Sequence, residues 1–364
     1  MTIRYGLIGS GMMGQEHIRN LNLLDGAEVV AIADPDESMR NLSVKTSGGT
    51  AKAFADYADM ISADICDAYV IVAPNDTHHP ILLDILPKNK PILCEKPLCT
   101  TSADCRDIIA KSKNRSAPTW VAMEYRYMPP VQRLLEEVKK GTLGTPQMMS
   151  IREHRFPFLP KVGDWNRFNN RTGGTLVEKC CHFWDLMRLT LQSDPVRIYA
   201  SAAMNVNHVD ERYAGSVPDI IDNAFVTVEF ENGARGMLDL CMFAEGSYWQ
   251  EVISVTGPAA RIDACVPGPA RFTKDGAERM SQIVISDRAS KTVTTEDIVV
   301  DQAILQAGDH HGSCFYQHQK FMELVRTGHG QPEVTLEDGL WSVRLGEAAE
   351  LSARTGQAIR LEDI

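Results

Sequence analysis

At 364 residues the chain is too long for one ordinary hydrophobic core, so two domains are the first expectation. A formal net charge of −11 argues against a nucleic-acid backbone or an anionic membrane as the main partner, and no run approaches the ~18 apolar residues of a membrane span. Nine cysteines form no Cys-x-x-Cys pair, and adjacent Cys180 and Cys181 cannot share one ion, so reduced thiols in a cytoplasmic enzyme and no metal are expected.

The first strand starts near Ile3, which leaves no room for a signal peptide. Over residues 1–125, apolar runs ("IRYGLIG", "EVVAIAD", "CDAYVIVA", "KPILCEK", "TWVAMEY") alternate with stretches of helical spacing such as "GMMGQEHIRNLNLL" and "SADCRDIIAKSKN". Near-continuous apolar strands alternating with helices predict a parallel sheet covered on both faces, a doubly wound α/β domain. In "LIGSGMMGQEH", Gly9 makes a tight turn, Gly11 lets backbone approach a pyrophosphate, and Gly14 lets the helix pack on the strand. The opening of that helix, at Met12 and Met13, offers free N–H groups to phosphates. Asp34 closes the second strand twenty residues after Gly14, the spacing of a ribose ligand. Its carboxylate would repel a 2′-phosphate, and Pro35, Asp36 and Glu37 follow with no nearby arginine, which favours NAD over NADP.

Two later strand ends open on the same crevice. In "VAPNDTHH", Pro74, Asn75 and His78 are candidates for the cofactor side, while an Asx-turn reading of Asn75 weighs equally. In "ILCEKPL", Glu95 and Lys96 stand where a buried-looking strand runs out. A lysine there can bind a substrate hydroxyl and stabilise the negative charge that develops during hydride loss, with the carboxylate orienting it.

After Pro129, "PPVQRLLEEVKK" predicts a helix ending at Gly141, and "PQMMSIREHR" a half-exposed strand. A polar, aromatic-rich stretch from Phe156 to Gly174 leads into a helical pattern over Thr175–Leu191. Strands follow from Val196, with Asn232-Gly233 as a hairpin turn, and helices over Cys314–Arg326 and Leu336–Thr355 close the chain. Residues 126–364 therefore read as an open, mainly antiparallel sheet with helices on one face. Glu178 and His182, four apart on the predicted helix, share a face, and histidine titrates where alcohol protons are exchanged. Arg126, Trp165 and Arg167 supply the aromatic faces and multidentate donors a polyhydroxylated ring needs, and the arginines hint at an anionic substituent. "GDHHGS" could bring His310 or His311 to the pocket or be a loop pair without a role.

The glycine fingerprint, the closing aspartate of the second strand, "APNDTHH" and above all "EKP" resemble the Gfo/Idh/MocA family of sugar and polyol oxidoreductases. "GGTLVEKCCHFWDLMRL" and "VTLEDGLWSVRLGEAAELSARTGQAIRL" extend the likeness over nearly the whole chain. The resemblance implies a Rossmann domain followed by a substrate-binding and oligomerisation domain, with the substrate between them and a homodimer or homotetramer as the assembly. It implies that Lys96 assists both cofactor and substrate and that His182 is the general base. One departure stands out: the aspartate usual four residues before the histidine is here Glu178. The reading is an NAD-dependent dehydrogenase of a sugar, sugar acid or polyol. Alternatives sharing the same residues are a redox-neutral NAD-dependent glycoside hydrolase or epimerase, and a non-catalytic NAD-binding regulator.

Overall fold

The computed structural model describes residues 2–364. Strands β1 (Ile3–Ile8), β2 (Ala27–Ala33), β3 (Lys52–Phe54), β4 (Ala68–Ile71), β5 (Ile92–Glu95) and β6 (Thr119–Ala122) form an all-parallel sheet ordered β3-β2-β1-β4-β5-β6. Helices α1 (Met12–Asn22), α2 (Glu37–Thr46), α3 (Tyr57–Ala63), α4 (His78–Ile85) and α5 (Ser102–Ser112) make the crossovers. Every residue of β4, β5 and β6 is buried, as central strands covered on both faces must be. The order reverses between β1 and β4, and the crevice beyond their carboxyl ends is where a ligand fits. β3 was not among the predicted strands: three residues, "KAF", are too few to show a period.

The second unit runs α6 (Pro129–Lys140), β7 (Met148–His154), α7 (Asn169–Thr172), α8 (Thr175–Glu178), α9 (Cys181–Leu191), β8 (Pro195–Ala203), β9 (Asn223–Phe230), β10 (Arg235–Cys241), β11 (Glu251–Thr256), β12 (Ala260–Val266), β13 (Ser281–Asp287) and β14 (Val293–Ile298). Helices α10 (Gln302–Ala307), α11 (Ser313–Thr327) and α12 (Leu336–Thr355) and strand β15 (Ile359–Arg360) end the chain. The nine strands are ordered β14-β13-β12-β11-β7-β10-β9-β8-β15, antiparallel except for β7 beside β10. Asn232-Gly233 turns β9 into β10, with Gly233 at φ 83° and Asn232 Oδ1 accepting the Ala234 amide. β9 and β10 alternate buried and exposed residues, so one face meets the helices while Phe225, Met237 and neighbouring Tyr199 of β8 point outward.

The helical pattern over Thr175–Leu191 is interrupted. α8 stops at Glu178, the amides of Lys179 and Cys180 both donate to the Thr175 carbonyl, and α9 resumes at Cys181. Cys180 thus bonds five residues back rather than four, a one-residue widening of the kind that re-aims side chains at functional sites. Behind this turn lies α12, opened by a Thr335/Asp338 capping box. A Cβ at Gly339 would stand 3.0 Å from the Leu98 side chain, and one at Gly346 would stand 2.6 Å from the Leu176 carbonyl oxygen, so both glycines are set by close packing. Glu350, one turn on, accepts the Leu176 amide at 3.0 Å.

Candidate active site

A cavity of 810 Å³ runs from the β1–α1 turn to the mouth of the second unit. Gly9, Gly11, Met12, Met13, Asp34, Pro74 and Asn75 line one end, and Glu95, Lys96, Lys161, Trp165 and Glu178 the other. The three glycines do separate work. Gly9 has φ 102°, and a Cβ there would run into the Val72 carbonyl. A Cβ at Gly14 would stand 2.7 Å from the Gly9 carbonyl oxygen, so the helix could not sit down on the strand. Around Gly11, which lines the cavity, nothing lies within 4 Å of a Cβ position, so the turn leaves open space there. Asp34 is fixed by two backbone amides, Ser10 to Oδ2 at 2.6 Å and Asp36 to Oδ1 at 2.8 Å. The expectation that no arginine stands near it needs correcting. Arg40 folds back from α2, but its Nη1 donates to the carbonyls of Asp34 (2.5 Å) and Pro35 (3.4 Å). Asn75 is buried, and its Nδ2 donates to the Thr172 carbonyl at 3.4 Å, linking the β4 loop to the second unit.

At the other end, Lys96 Nζ donates to the Glu178 carbonyl at 3.1 Å and stands 3.7 Å from Glu178 Oε1. Lys161 reaches the same carboxylate oxygen at 3.8 Å, with its ammonium 4.5 Å from the Trp165 ring centroid. Burial by itself lowers the Lys96 pKa, but Glu178, Glu124 and Glu95 more than offset this and hold it above the ordinary lysine value. Burial works against the Glu178 charge too, yet Lys96, Lys161 and Lys179 pull its pKa down. The result is an anion between two cations, with Glu178 Oε2 buried and unpartnered.

His182 is 2 % exposed, with Nε2 3.5 Å from Glu124 Oε1 and Nδ1 without a partner. Tyr125 stacks on it at 4.1 Å and 9°, while Lys179 Nζ lies 4.6 Å from the same tyrosine ring and 2.9 Å from Glu153 Oε1. Burial, then Lys96, Lys179 and His310, drive the His182 pKa well below that of free histidine, so the ring is held neutral. Glu124, Lys161 and Lys179 were not among the expected site residues. Glu124 was within reach of the rule that found Lys96, since it lies two residues beyond the carboxyl end of β6.

Three expected ligand residues serve the scaffold instead. His78 turns its nitrogens to the carbonyls of Pro97 (2.8 Å) and Ala73 (3.0 Å), tying the "EKP" loop to the end of β4. Arg126 forks onto Asp185 at 2.6 and 2.5 Å and stands 3.4 Å from Asp338, because a buried guanidinium needs carboxylates around it. Arg167, 2 % exposed, donates to Glu211 at 3.0 Å. His311 faces the Pro267 carbonyl at 2.7 Å, whereas His310 Nδ1 meets Glu16 Oε1 at 2.9 Å.

One group outside Cys180–Cys181 resembles a metal site. His17, Cys314 and His318 bring ligand atoms within 4.8 Å of one another. His17 Nδ1 lies 2.7 Å from His318 Nε2, closer than the about 3.3 Å kept by two nitrogens on one tetrahedral ion, and His17 Nε2 meets Glu95 Oε1 at 2.8 Å. The group is a hydrogen-bonded chain, Glu95–His17–His318, that fixes the carboxylate beside Lys96.

Residues 3–123 match the NAD-binding Rossmann fold of the Gfo/Idh/MocA oxidoreductase family, and residues 136–361 match its C-terminal alpha/beta domain. Myo-inositol 2-dehydrogenase of Thermotoga maritima is 26 % identical over 362 residues, covering 100 % of this chain and 99 % of that protein. The crystal structure of a probable dehydrogenase from Thermotoga maritima superposes with a TM-score of 0.79 at 25 % identity, covering 100 % of both chains. A levoglucosan dehydrogenase in complex with NADH and levoglucosan superposes with a TM-score of 0.82 at 18 % identity, covering 99 % of this chain and 100 % of that one, a likeness of fold. The chain belongs to the Gfo/Idh/MocA family of oxidoreductases.

Proposed function

Taking family membership as the premise, we propose that the chain is an NAD-dependent dehydrogenase that oxidises a hydroxyl carbon of a sugar, sugar acid or polyol. The observation that carries this reading is Lys96, held protonated 3.7 Å from Glu178 at the inner end of the groove whose outer end holds Asp34 and the glycine turn. The open space at Gly11 and the carboxylate of Asp34 fit a dinucleotide, with Asp34 accepting ribose hydroxyls and disfavouring a 2′-phosphate. Bound there, NAD would supply the hydride acceptor. The chain's own groups do the rest. Lys96 donates to the reacting oxygen and stabilises its developing charge. Neutral His182 takes the hydroxyl proton. Glu178 orients Lys96 and offers a free oxygen to a neighbouring hydroxyl. Relatives named for myo-inositol and inositol support a polyhydroxylated ring as substrate.

Tyr199, Phe225 and Met237 on the outer face of the nine-stranded sheet support a homodimer or homotetramer, which light scattering would establish. The test of activity is reduction of NAD, and separately NADP, by the purified protein with a panel of sugars, sugar acids, polyols and glycosides. Steady accumulation of reduced NAD with one substrate group supports the proposal. Tight NAD binding with no net reduction across the panel overturns it in favour of redox-neutral chemistry.

A further inference from the structure

Oxidation of an alcohol releases a hydride, whose acceptor is the cofactor, and a proton, which the protein must dispose of. His182 is 2 % exposed and has no path of its own to bulk water, while the cations around it disfavour keeping the proton on the ring. Lys96 is already protonated, and Glu178 is held anionic between Lys96 and Lys161. Glu124 differs from both. It is 2 % exposed, forms no salt bridge with lysine or arginine among the described residues, and leaves Oε2 without a partner. Close to it, the loop between α10 and α11 carries His310, whose ring lies 6.3 Å from that of Tyr125 and whose Nδ1 is anchored on Glu16 of α1 while 24 % of the side chain remains open to solvent.

We infer that His182 and Glu124 act as one acid–base pair, and that the proton the pair takes from the substrate leaves past His310. This rests on the oxidation proposed above. The substrate O–H bond breaks toward His182. Nε2, the nitrogen that faces Glu124, takes the proton and hands it to the Glu124 oxygen, so the neutral imidazole returns to the tautomer it started from. Glu124 then gives it up to solvent past the partly exposed His310, leaving the pair ready for another turnover. One proton enters and one leaves, and no other reagent is consumed.

The surrounding charges suit this sequence. Glu124 faces Glu95 and Lys96 at the end of β5 and His310 from the α10–α11 loop. His182 faces Lys96, Lys179, His310 and Arg155. His310 faces Glu16, Glu124 and Lys179, and the two carboxylates keep it cationic, with a pKa of about 9 in spite of burial. Burial, reinforced by Glu95, pushes the Glu124 carboxyl up to about 7, so near neutrality it can both take and lose a proton. Oxidation needs the deprotonated pair, so its rate should rise with pH through that value.

The test uses the full chain labelled with 15N-histidine and free of cofactor, with ring signals assigned through His182→Asn and His310→Gln. Across pH 5.5 to 8.5 the proposal expects the His182 signals to shift with a midpoint near neutrality as Glu124 titrates, and Glu124→Gln to abolish that inflection. An inflection that survives in Glu124→Gln overturns the pairing, as does its absence from the unsubstituted protein. With the substrate found in the panel, Glu124→Gln should lower kcat about tenfold or more at neutral pH, leave KM within about threefold and flatten the pH profile, and His310→Gln should do the same to a lesser extent. An active parent enzyme with an equally active Glu124→Gln variant sinks the relay and spares the dehydrogenase reading. A parent enzyme silent on the whole panel sinks the dehydrogenase reading itself.

Discussion

The two ends of the cavity are made of different materials. The cofactor end is built from backbone: a left-handed glycine, a Cβ-free gap at Gly11, and a carboxylate held by two amides. The inner end is built from acidic and basic side chains held out of bulk water, with Glu178 between Lys96 and Lys161, and Lys179 against Glu153. Backbone sites fail when shape changes and scarcely respond to pH. Sites of buried charge fail when one partner is neutralised, because the remaining charge has lost the interaction that offset its desolvation.

That contrast can be sharpened, starting with the largest effect. Arg126→Met should cost about 3–5 kcal/mol of stability, since Asp185 and Asp338 lose their buried cation, and chemical denaturation would measure it. If instead the folded protein keeps its stability and loses substrate affinity, Arg126 belongs to the ligand after all. Lys96→Ala should lower kcat about a hundredfold or more while titration calorimetry finds NAD affinity changed only a fewfold. Comparable losses in both would erase the distinction between the two ends. Gly11→Ala should leave the melting temperature unchanged, because nothing occupies its Cβ position, and weaken NAD about tenfold by filling the ligand's space. Gly9→Ala, by contrast, should unfold at lower temperature. The smallest effect concerns Glu350, whose carboxyl burial raises to about 7. A carboxyl with its folded pKa above the unfolded one stabilises most at low pH, and that contribution is lost as pH rises through about 7. Glu350→Gln should therefore gain on the order of 1 kcal/mol over the parent at pH 8 and nothing at pH 4.5, read from paired thermal melts.

The same contrast explains what the sequence made legible. Gly9, Gly11, Gly14 and Asp34 act through local backbone at fixed spacing, so strand, turn and helix patterns were enough to place them. Lys96 followed because it ends a strand. The fate of Arg126 depended on Asp185 and Asp338, far along the chain, and nothing near Arg126 announces them. His78 looked like a ligand from its position but meets two carbonyls that only the folded loops bring together. The break after Glu178 was hidden because "TLVEKCCHFW" has unbroken helical apolar spacing, while the wide turn is imposed by packing on α12. In the second sheet, the strands legible from Val196 on end with β11; β12, β13 and β14 escaped, the last because "VTTEDI" is an exposed edge strand without an apolar face to alternate.

The packing of α12 bears on motion. Leu98, two residues past Lys96, rests on Gly339, and Leu176 and Val177, just before Glu178, rest on Gly346. Seven residues of one helix, about 10.5 Å, therefore span the anchor points of the lysine and its carboxylate. Any hinge that opens the groove must carry these two segments on the same rigid strut. The Lys96–Glu178 pair is thus assembled without a ligand, and a separate contact, Arg171 Nε to Asp76 Oδ2 at 2.5 Å, joins the loops that line the groove. In kinematic terms, one helix is the common mount of both halves of the pair.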